Sequence, residues 1–172
     1  MTRPRLLDGL RKALQASAGY RYYPFVVALI AFSATVTFAF PFTMVLIPAV
    51  LIAPQRWLML GLLSGVASGA GAALLVELFN YFGREIIVSH FPELVASASW
   101  QLASGWLENY GLFALMLLAG SPLPQTPIIF FYSLTNPSVL GVLIVVAIGK
   151  TVKYVFLAWL TSRSPARFAD YQ

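Results

Sequence analysis

From Leu58 to Phe82 the chain carries a single charged side chain, Glu77, in an otherwise apolar stretch rich in glycine and leucine. About 20 apolar residues in a helix cross roughly 30 Å of hydrocarbon, so this stretch is long enough to span a bilayer with some tilt. The whole chain agrees, since 59% of its 172 residues are hydrophobic and only 10% are charged. An ordinary soluble domain carries about 25% charged residues. The sequence therefore predicts an integral membrane protein of one domain with an all-α fold.

A repeated proline pattern interrupts two other apolar segments. Pro41-Phe42-Thr43 is followed by Pro54, and Pro124-Gln125-Thr126 is followed at the same spacing by Pro137. Proline removes a backbone donor and clashes with the preceding helical turn, so neither segment can form one regular spanning helix. Interrupted apolar segments at corresponding positions of two halves indicate a transport pathway. We predict two inverted repeats, each a re-entrant hairpin plus a transmembrane helix, together with amphipathic surface helices.

The predicted organisation is one membrane domain, residues 1–172, divided into seven segments. These are a basic amphipathic N-terminal helix (1–23), re-entrant hairpin 1 (24–56), a transmembrane helix (57–83), an interfacial helix (84–108), re-entrant hairpin 2 (109–136), a second transmembrane helix (137–161) and a cytoplasmic tail (162–172). The first transmembrane helix carries a stripe of glycine and serine within residues 61–71, and such stripes allow close helix approach in lipid. The stripe is also a possible surface for homo-oligomer formation.

Charge distribution predicts the orientation of the chain. The net charge is +5, and five of its basic residues precede the first apolar segment, as the positive-inside rule expects for a cytoplasmic N-terminus. We expect both termini in the cytoplasm and a bacterial or archaeal plasma (inner) membrane, and we expect no nucleic acid as a partner. The chain has no cysteine, and its one histidine, His90, falls outside the predicted spans. We therefore expect no metal, no cofactor and no enzymatic activity.

Three charged residues fall within the predicted spans: Glu77, Lys150 and Lys153. A charge near the bilayer centre costs at least about 2.5–3.5 kcal/mol, so it normally has a partner or lines a water-filled cavity. The lysines are three residues apart and share a helix face. One interpretation is a cationic site for an anionic headgroup or phosphate, with Glu77 as counter-ion or proton acceptor. The alternatives are a structural Glu77–Lys150 ion pair, and a Lys153 that only reaches the inner interface.

The tips of the two predicted hairpins are the other candidate sites. A helix interrupted at depth exposes backbone N–H groups and a positive dipole end, which suit an anion. Hydroxyl and amide side chains there can add hydrogen bonds to a ligand, or can satisfy only their own broken backbone. The candidate pathway residues are Pro41 and Thr43 at the first tip, Ser121, Pro124, Gln125 and Thr126 at the second, and Arg84 after the first transmembrane helix.

Four motifs together resemble the DedA/VTT family, also called SNARE-associated Golgi proteins, over roughly residues 24–160. They are Tyr81-Phe82-Gly83-Arg84, Tyr110-Gly111, Leu123-Pro124-Gln125-Thr126-Pro127 and Gly149-Lys150. The resemblance implies two opposed re-entrant hairpins with transmembrane helices. It also implies movement of lipids across the bilayer, by scrambling of phospholipids or recycling of a polyprenyl phosphate carrier, sometimes linked to the proton gradient. The chain departs from the family at Thr43, often acidic there, and at Ser121 and Pro127, often arginine.

The function we expect is transport of an anionic lipid or lipid phosphate, as a phospholipid scramblase or a polyprenyl-phosphate translocase. Membrane lipids are then the partners, and the anionic headgroup or lipid phosphate is the cargo. Two alternatives stay open on the sequence alone. One is a non-transporting membrane scaffold or assembly protein, and the other is a proton-coupled carrier of small anions.

Overall fold

The computed structural model describes residues 19–37, 40–83, 89–90, 93, 97–121, 126–135 and 138–163. The helices whose bounds it gives are α1 (Tyr23–Thr37), α2 (Thr43–Ile52), α3 (Trp57–Leu78), α4 (Ala98–Gly120), α5 (Thr126–Ser133) and α6 (Val139–Arg163). A 3-10 turn, Pro54–Arg56, leads into α3, and a π-helical turn, Phe79–Gly83, continues it. This part of the chain contains no strand, which confirms the prediction of an all-α protein.

Three helices are long and apolar enough to cross a membrane: Pro54–Gly83, Ala98–Gly120 and Val139–Arg163. The first and third agree with the transmembrane helices predicted at 57–83 and 137–161. The second is an addition, because the sequence divided its residues between an interfacial helix and a hairpin. A membrane protein with transmembrane helices is therefore confirmed, with one more helix of spanning length than expected.

Helix α4 runs without a break through residue 108, where the sequence placed a change of segment. No proline occurs between Pro92 and Pro122, and a helical glycine such as Gly105 costs only about 1 kcal/mol relative to alanine. The first buried residue along α4 is nevertheless Gly111. The predicted boundary thus marks where the helix enters the bundle, although the backbone does not change there.

Helices α3 and α6 pack antiparallel and form the spine of the molecule. Gly61, Gly65 and Gly69 of α3 lie against Val155, Thr151 and Ala147 of α6. The approach is so close that a Cβ atom added to Gly65 would lie 2.6 Å from the Thr151 Cα atom. The small-residue stripe therefore allows close helix packing, as predicted, and its partner helix belongs to the same chain. The stripe is therefore covered by α6 and not available to a second copy in this structure.

Helices α1 and α2 form a hairpin whose open ends meet beside the start of α3. The Tyr23 hydroxyl donates to the Ala49 carbonyl at 3.0 Å, and the Arg56 guanidinium donates to the Tyr20 carbonyl at 2.7 Å. Pro41 lies in the connecting turn, outside both helices, as its effect on helix geometry requires. At about 1.5 Å per residue, neither helix reaches the roughly 30 Å of a hydrocarbon core.

Helices α4 and α5 form the second pair, and Gly111 of α4 contacts the ring of Tyr132 near the end of α5. Each pair contributes to its own hydrophobic core on the spine. The first core joins α1 and α2 to Leu60 and Tyr154. The second joins Leu115 and Ile129 to the second half of α3 and the first half of α6. The spine therefore carries one helix pair at each end.

Candidate functional site: two lysines between the hairpins

Lys150 lies near the middle of α6 and reaches across to α1. Its ammonium group donates to the hydroxyl oxygen of Thr35 at 3.1 Å, and that hydroxyl in turn donates to the Ala31 carbonyl at 2.9 Å. Thr35 is buried near the end of α1, and its side chain also contacts Gly71 of α3. Lys150 is therefore held at the junction of three helices by a neutral hydroxyl group.

Lys153 lies one turn further along α6 and reaches the other helix pair. Its ammonium group donates to the backbone carbonyl of Ser121 at 2.6 Å. Ser121 directly follows the last residue of α4, where helical carbonyls lack intrahelical partners and the helix dipole is negative. The short distance fits a charge-assisted hydrogen bond. This contact ties the end of α4 to α6.

The turn of hairpin 1 meets α6 at the same level. The ring of Phe42, the last residue of that turn, lies 5.1 Å from the ring of Tyr154, at an angle of 55°. Tyr154 is the neighbour of Lys153, and both rings are buried. One turn of α6, from Lys150 to Tyr154, thus lies between the ends of both helix pairs.

The two ammonium groups have no acidic partner among the residues that the structure describes. The carboxylates in that part of the chain are Glu77, Glu93 and Glu108, and all three are exposed. The partners of the lysines are instead a hydroxyl and a carbonyl. Two neighbouring positive charges without a counter-charge make this region electrostatically suited to an anion.

Glu77 does not lie beside Lys150. Gly69 of α3 faces Ala147 of α6, and the helices are antiparallel, so the same register places Glu77 near the start of α6. The separation along the axis is then about 15 Å at helical rise. The structural Glu77–Lys150 ion pair considered on the sequence is not formed. A Lys153 directed at the inner interface is not found either, since its ammonium group turns towards Ser121.

The predicted hairpin residues divide between the two turns. Pro41 is exposed in the first turn, and Thr43 begins α2 as a partly buried residue. Ser121 follows α4 and accepts from Lys153, and Thr126 begins α5. Pro124, Gln125 and Arg84 lie outside the described residues. The structure therefore brings Ser121 and the lysines together, with the first turn next to them.

Sequence reasoning placed Tyr154 beside the lysines but missed Thr35 and Phe42 as parts of this site. A hydroxyl inside an apolar helix has many uses, and Thr35 carries no signal of its long-range partner. Lys150 and Thr35 are 115 positions apart, and only the packing of α1 on the spine joins them. Tyr154 was visible on the same helix face as Lys150 by its spacing.

The π-helical turn at the end of α3 holds the second helix pair from the other side. Asn80 donates through its side-chain amide to the Ser133 carbonyl at 2.8 Å, which satisfies a terminal carbonyl of α5. The Phe79 ring meets the Phe130 ring edge-on at 5.4 Å. The motif that closes the first transmembrane helix thus serves to dock α5.

Metal or nucleophilic chemistry has little support in the described residues. No group of three or more histidine, aspartate or glutamate side chains there could hold a metal ion. His90 is exposed, and its Nδ1 atom lies 2.8 Å from the hydroxyl of the adjacent Ser89. The chemistry that the site offers is attraction of an anion.

The fold and the lysine pair define a class of helical membrane protein with a partly buried cationic site between two helix pairs. Compared with protein-family models, curated proteins and solved structures, the chain matches none of them.

Proposed function

We propose that this protein moves an anionic lipid or a lipid phosphate across the bilayer, and that Lys150 and Lys153 attract its headgroup. The observation that carries the proposal is the pair of ammonium groups on one turn of α6, each bound to a neutral group of a different helix pair. A phosphate offers both ammonium groups a stronger acceptor than a hydroxyl or a backbone carbonyl.

The energetic cost of the lysines supports a functional role. Each charge at mid-span costs at least about 2.5–3.5 kcal/mol on the insertion scale, whereas a hydrogen bond to a charged group returns about 1.5–3 kcal/mol. The contacts with Thr35 and Ser121 therefore offset much of the cost and give no surplus. Apolar residues at both positions would serve folding at least as well, so the lysines are explained better by an anion that binds there.

The depth of the two turns supports re-entrant hairpins. Thr35, near the end of α1, contacts Gly71, which is more than ten residues from either end of the Pro54–Gly83 span. Ser121, at the end of α4, contacts Lys153, ten residues from the end of α6. Each helix pair then enters the membrane to about half its depth from opposite sides, which is the arrangement of an inverted repeat.

Equivalent glycine contacts support an internal repeat. Gly71 approaches the Phe32 carbonyl and Thr35, which lie three residues apart on α1. Gly149 approaches the Met116 carbonyl and Ala119, which lie three residues apart on α4. In each half, a glycine of the long helix thus packs on the backbone of the first hairpin helix. This agrees with the architecture that the resemblance to the DedA/VTT family implies.

The proposed path places the headgroup between the two turns while the acyl or prenyl chains stay in lipid. The phosphate replaces Thr35 and Ser121 as the acceptor of the two ammonium groups, which releases the contact between α6 and the end of α4. Glu77 has no part in this step, because it is remote from the lysines and exposed. The path needs no redox or covalent chemistry.

The test uses purified full-length protein in vesicles that carry a fluorescent phospholipid and, separately, a fluorescent polyprenyl monophosphate, with a quencher added outside. Wild type should allow quenching beyond the outer leaflet's share for at least one of the two lipids. The Lys150→Gln/Lys153→Gln variant should stop near one leaflet's share while eluting as a folded protein. Lys12→Gln, the same change at the one lysine outside the predicted spans, is the matched control and should behave as wild type.

Three outcomes would contradict the proposal. Equal quenching by the double variant and wild type would mean that the lysines do not carry the cargo. Passage of chloride or inorganic phosphate by wild type, without passage of either lipid, would favour the proton-coupled small-anion carrier. Quenching limited to one leaflet for both lipids, with loss of folding on lysine removal, would favour the scaffold.

A further inference from the structure

The end of the molecule where hairpin 1 opens carries a cluster that the proposed transport path does not use. Tyr20, Arg21 and Tyr22 precede α1, Arg56 precedes α3, and Arg163 ends α6. We call these five residues the basic-aromatic patch. The last turns of α6 pack against the 3-10 turn that contains Arg56, which places Arg163 at the same end.

The patch has a defined geometry. The Tyr20 and Tyr22 rings stack with centroids 5.0 Å apart and planes 13° from parallel, although both side chains are more than half exposed. The Arg56 guanidinium is fixed by its bond to the Tyr20 carbonyl at 2.7 Å, and its other donors remain for a ligand. Arg21 and Arg163 are exposed.

The charge at this end is uncompensated within the described residues. In sequence, the described carboxylates fall between the second half of α3 and the buried half of α4, and this stretch belongs to the end of the spine opposite the patch. They are Glu77, Glu93 and Glu108. Tyrosine rings favour the headgroup level of a bilayer, and the planar guanidinium fork matches phosphate oxygens in two-point contacts. Arginines beside exposed tyrosines therefore suit phosphate groups at a membrane surface.

We infer that the basic-aromatic patch is a binding site for anionic phospholipid headgroups of the adjacent leaflet, separate from the transported cargo. The guanidinium groups bind the headgroup phosphates, and the stacked tyrosines contact the glycerol and upper acyl region. A lipid bound across Arg21, Arg56 and Arg163 links the open end of hairpin 1 to both spine helices. The bound lipid therefore stabilises the folded protein through mass action.

The test measures the thermal midpoint of the full-length protein in a neutral detergent while phosphatidylglycerol or phosphatidylcholine is added. Phosphatidylglycerol should raise the midpoint of the wild type and phosphatidylcholine should not. Loss of one basic residue near a membrane surface weakens anionic-lipid binding by roughly fivefold. Arg21→Gln/Arg163→Gln should thus bind phosphatidylglycerol about thirtyfold more weakly and lose most of the rise. These two side chains are exposed, so this variant spares the Arg56–Tyr20 contact that folding uses.

Three controls make the result decisive. Arg21→Lys/Arg163→Lys keeps the charge and should keep most of the rise, and Glu108→Gln at the far end should keep all of it. Lys150→Gln/Lys153→Gln should keep the part of the rise that Arg21→Gln/Arg163→Gln loses, so a failure here is distinct from a failure of the transport proposal. A rise that survives in Arg21→Gln/Arg163→Gln would overturn the inference. So would an equal rise on adding inorganic phosphate with phosphatidylcholine, which would indicate a soluble-phosphate site.

Discussion

The two helix pairs arise from similar proline patterns, yet they are held in different ways. Hairpin 1 is packed into a core that includes Tyr23, Val27 and Leu46, each with no exposed surface. In α4, by contrast, only Gly111, Leu115 and Ala119 are buried, although it is the longer helix. The first half of α4 extends past the bundle, with Leu102 77% exposed. Similar proline patterns have therefore produced a well-packed hairpin 1 and a second pair whose longer helix, α4, is sparsely packed.

The two pairs also differ in which residues make their polar contacts. Hairpin 1 is closed at its open end by Tyr23 of its own first helix and by Arg56 shortly after its second, and the spine adds the contact of Lys150 with Thr35. The second pair is held at two points by residues of the spine, Asn80 on Ser133 and Lys153 on Ser121. Few buried apolar contacts mean a low local free energy of opening. We therefore expect the second pair to be the part that moves during transport and hairpin 1 to stay in place.

The variant with the largest expected effect is Gly65→Val, which disturbs the packing of the spine that supports both helix pairs. In Gly65→Val the new Cβ would lie 2.6 Å from the Thr151 Cα atom, and backbone atoms of the spine cannot yield as a flexible side chain can. Overpacking typically costs about 1–3 kcal/mol, and here the added methyl groups place the effect at or above the upper figure. We expect loss of monodisperse protein on gel filtration and a thermal midpoint too low to measure.

Gly105→Ala is the matched control for that variant. Gly105 lies in the projecting part of α4, and no other atom would lie within 4 Å of an added Cβ. Alanine is favoured over glycine in a helix by about 1 kcal/mol, so this variant should be as stable as wild type or more stable. Equal behaviour of the two variants would show that α3 and α6 do not approach each other closely.

A smaller effect is expected from two variants that compare the pairs directly, because each variant removes one hydrogen bond from one pair. Tyr23→Phe removes the bond to Ala49, and Asn80→Ala removes the bond to Ser133. Each should cost about 1 kcal/mol in the free energy of local or global opening. Amide hydrogen exchange in nanodiscs should show that Asn80→Ala speeds exchange in α5 about fivefold and leaves α2 unchanged. Tyr23→Phe should leave α5 unchanged, and because hairpin 1 is well packed its effect on α2 should be the smaller of the two.

Faster amide exchange in hairpin 1 than in the second pair would contradict the proposed difference in packing. In the wild type, α5 should already exchange faster than α2, because α2 is rich in buried apolar residues. If α2 exchanges faster, hairpin 1 is the more loosely held pair. Hairpin 1 would then be the better candidate for the moving element.

Much of the fold could be predicted from the sequence, because prolines and apolar runs act locally. Pro41 separates α1 from α2, and the long apolar runs became α3 and α6, as helix chemistry requires. The unequal packing of the pairs could not be predicted in this way. Whether α4 is buried depends on what lies beside it, and the apolar faces of a buried helix and a lipid-facing helix read alike in sequence.

The candidate site was predictable in part for the same reason. A lysine at mid-span is visible as a costly charge, so Lys150 and Lys153 could be singled out without a structure. Their partners could not, since Thr35 and Ser121 belong to different helix pairs and one contact is made by a backbone carbonyl. The distance of Glu77 from the lysines could not be predicted either, because it depends on the antiparallel register of α3 and α6.

The smallest expected change in stability comes from replacing a lysine with an apolar residue of similar length. Lys153→Met removes a charge-assisted hydrogen bond worth about 1.5–3 kcal/mol, and it also removes a charge that costs about 2.5–3.5 kcal/mol at mid-span. The two terms nearly cancel, so the thermal midpoint in neutral detergent should change by only a few degrees and can rise. Exchange at the end of α4 should still increase, because the Ser121 carbonyl loses its bond to the Lys153 ammonium group, while exchange in α1 stays the same. Lys150→Met should leave stability equally unchanged, and well-packed α1 should show little effect. A loss of several kcal/mol in either variant would mean that the lysines serve folding, and the second pair would then be fixed to the spine and not free to move.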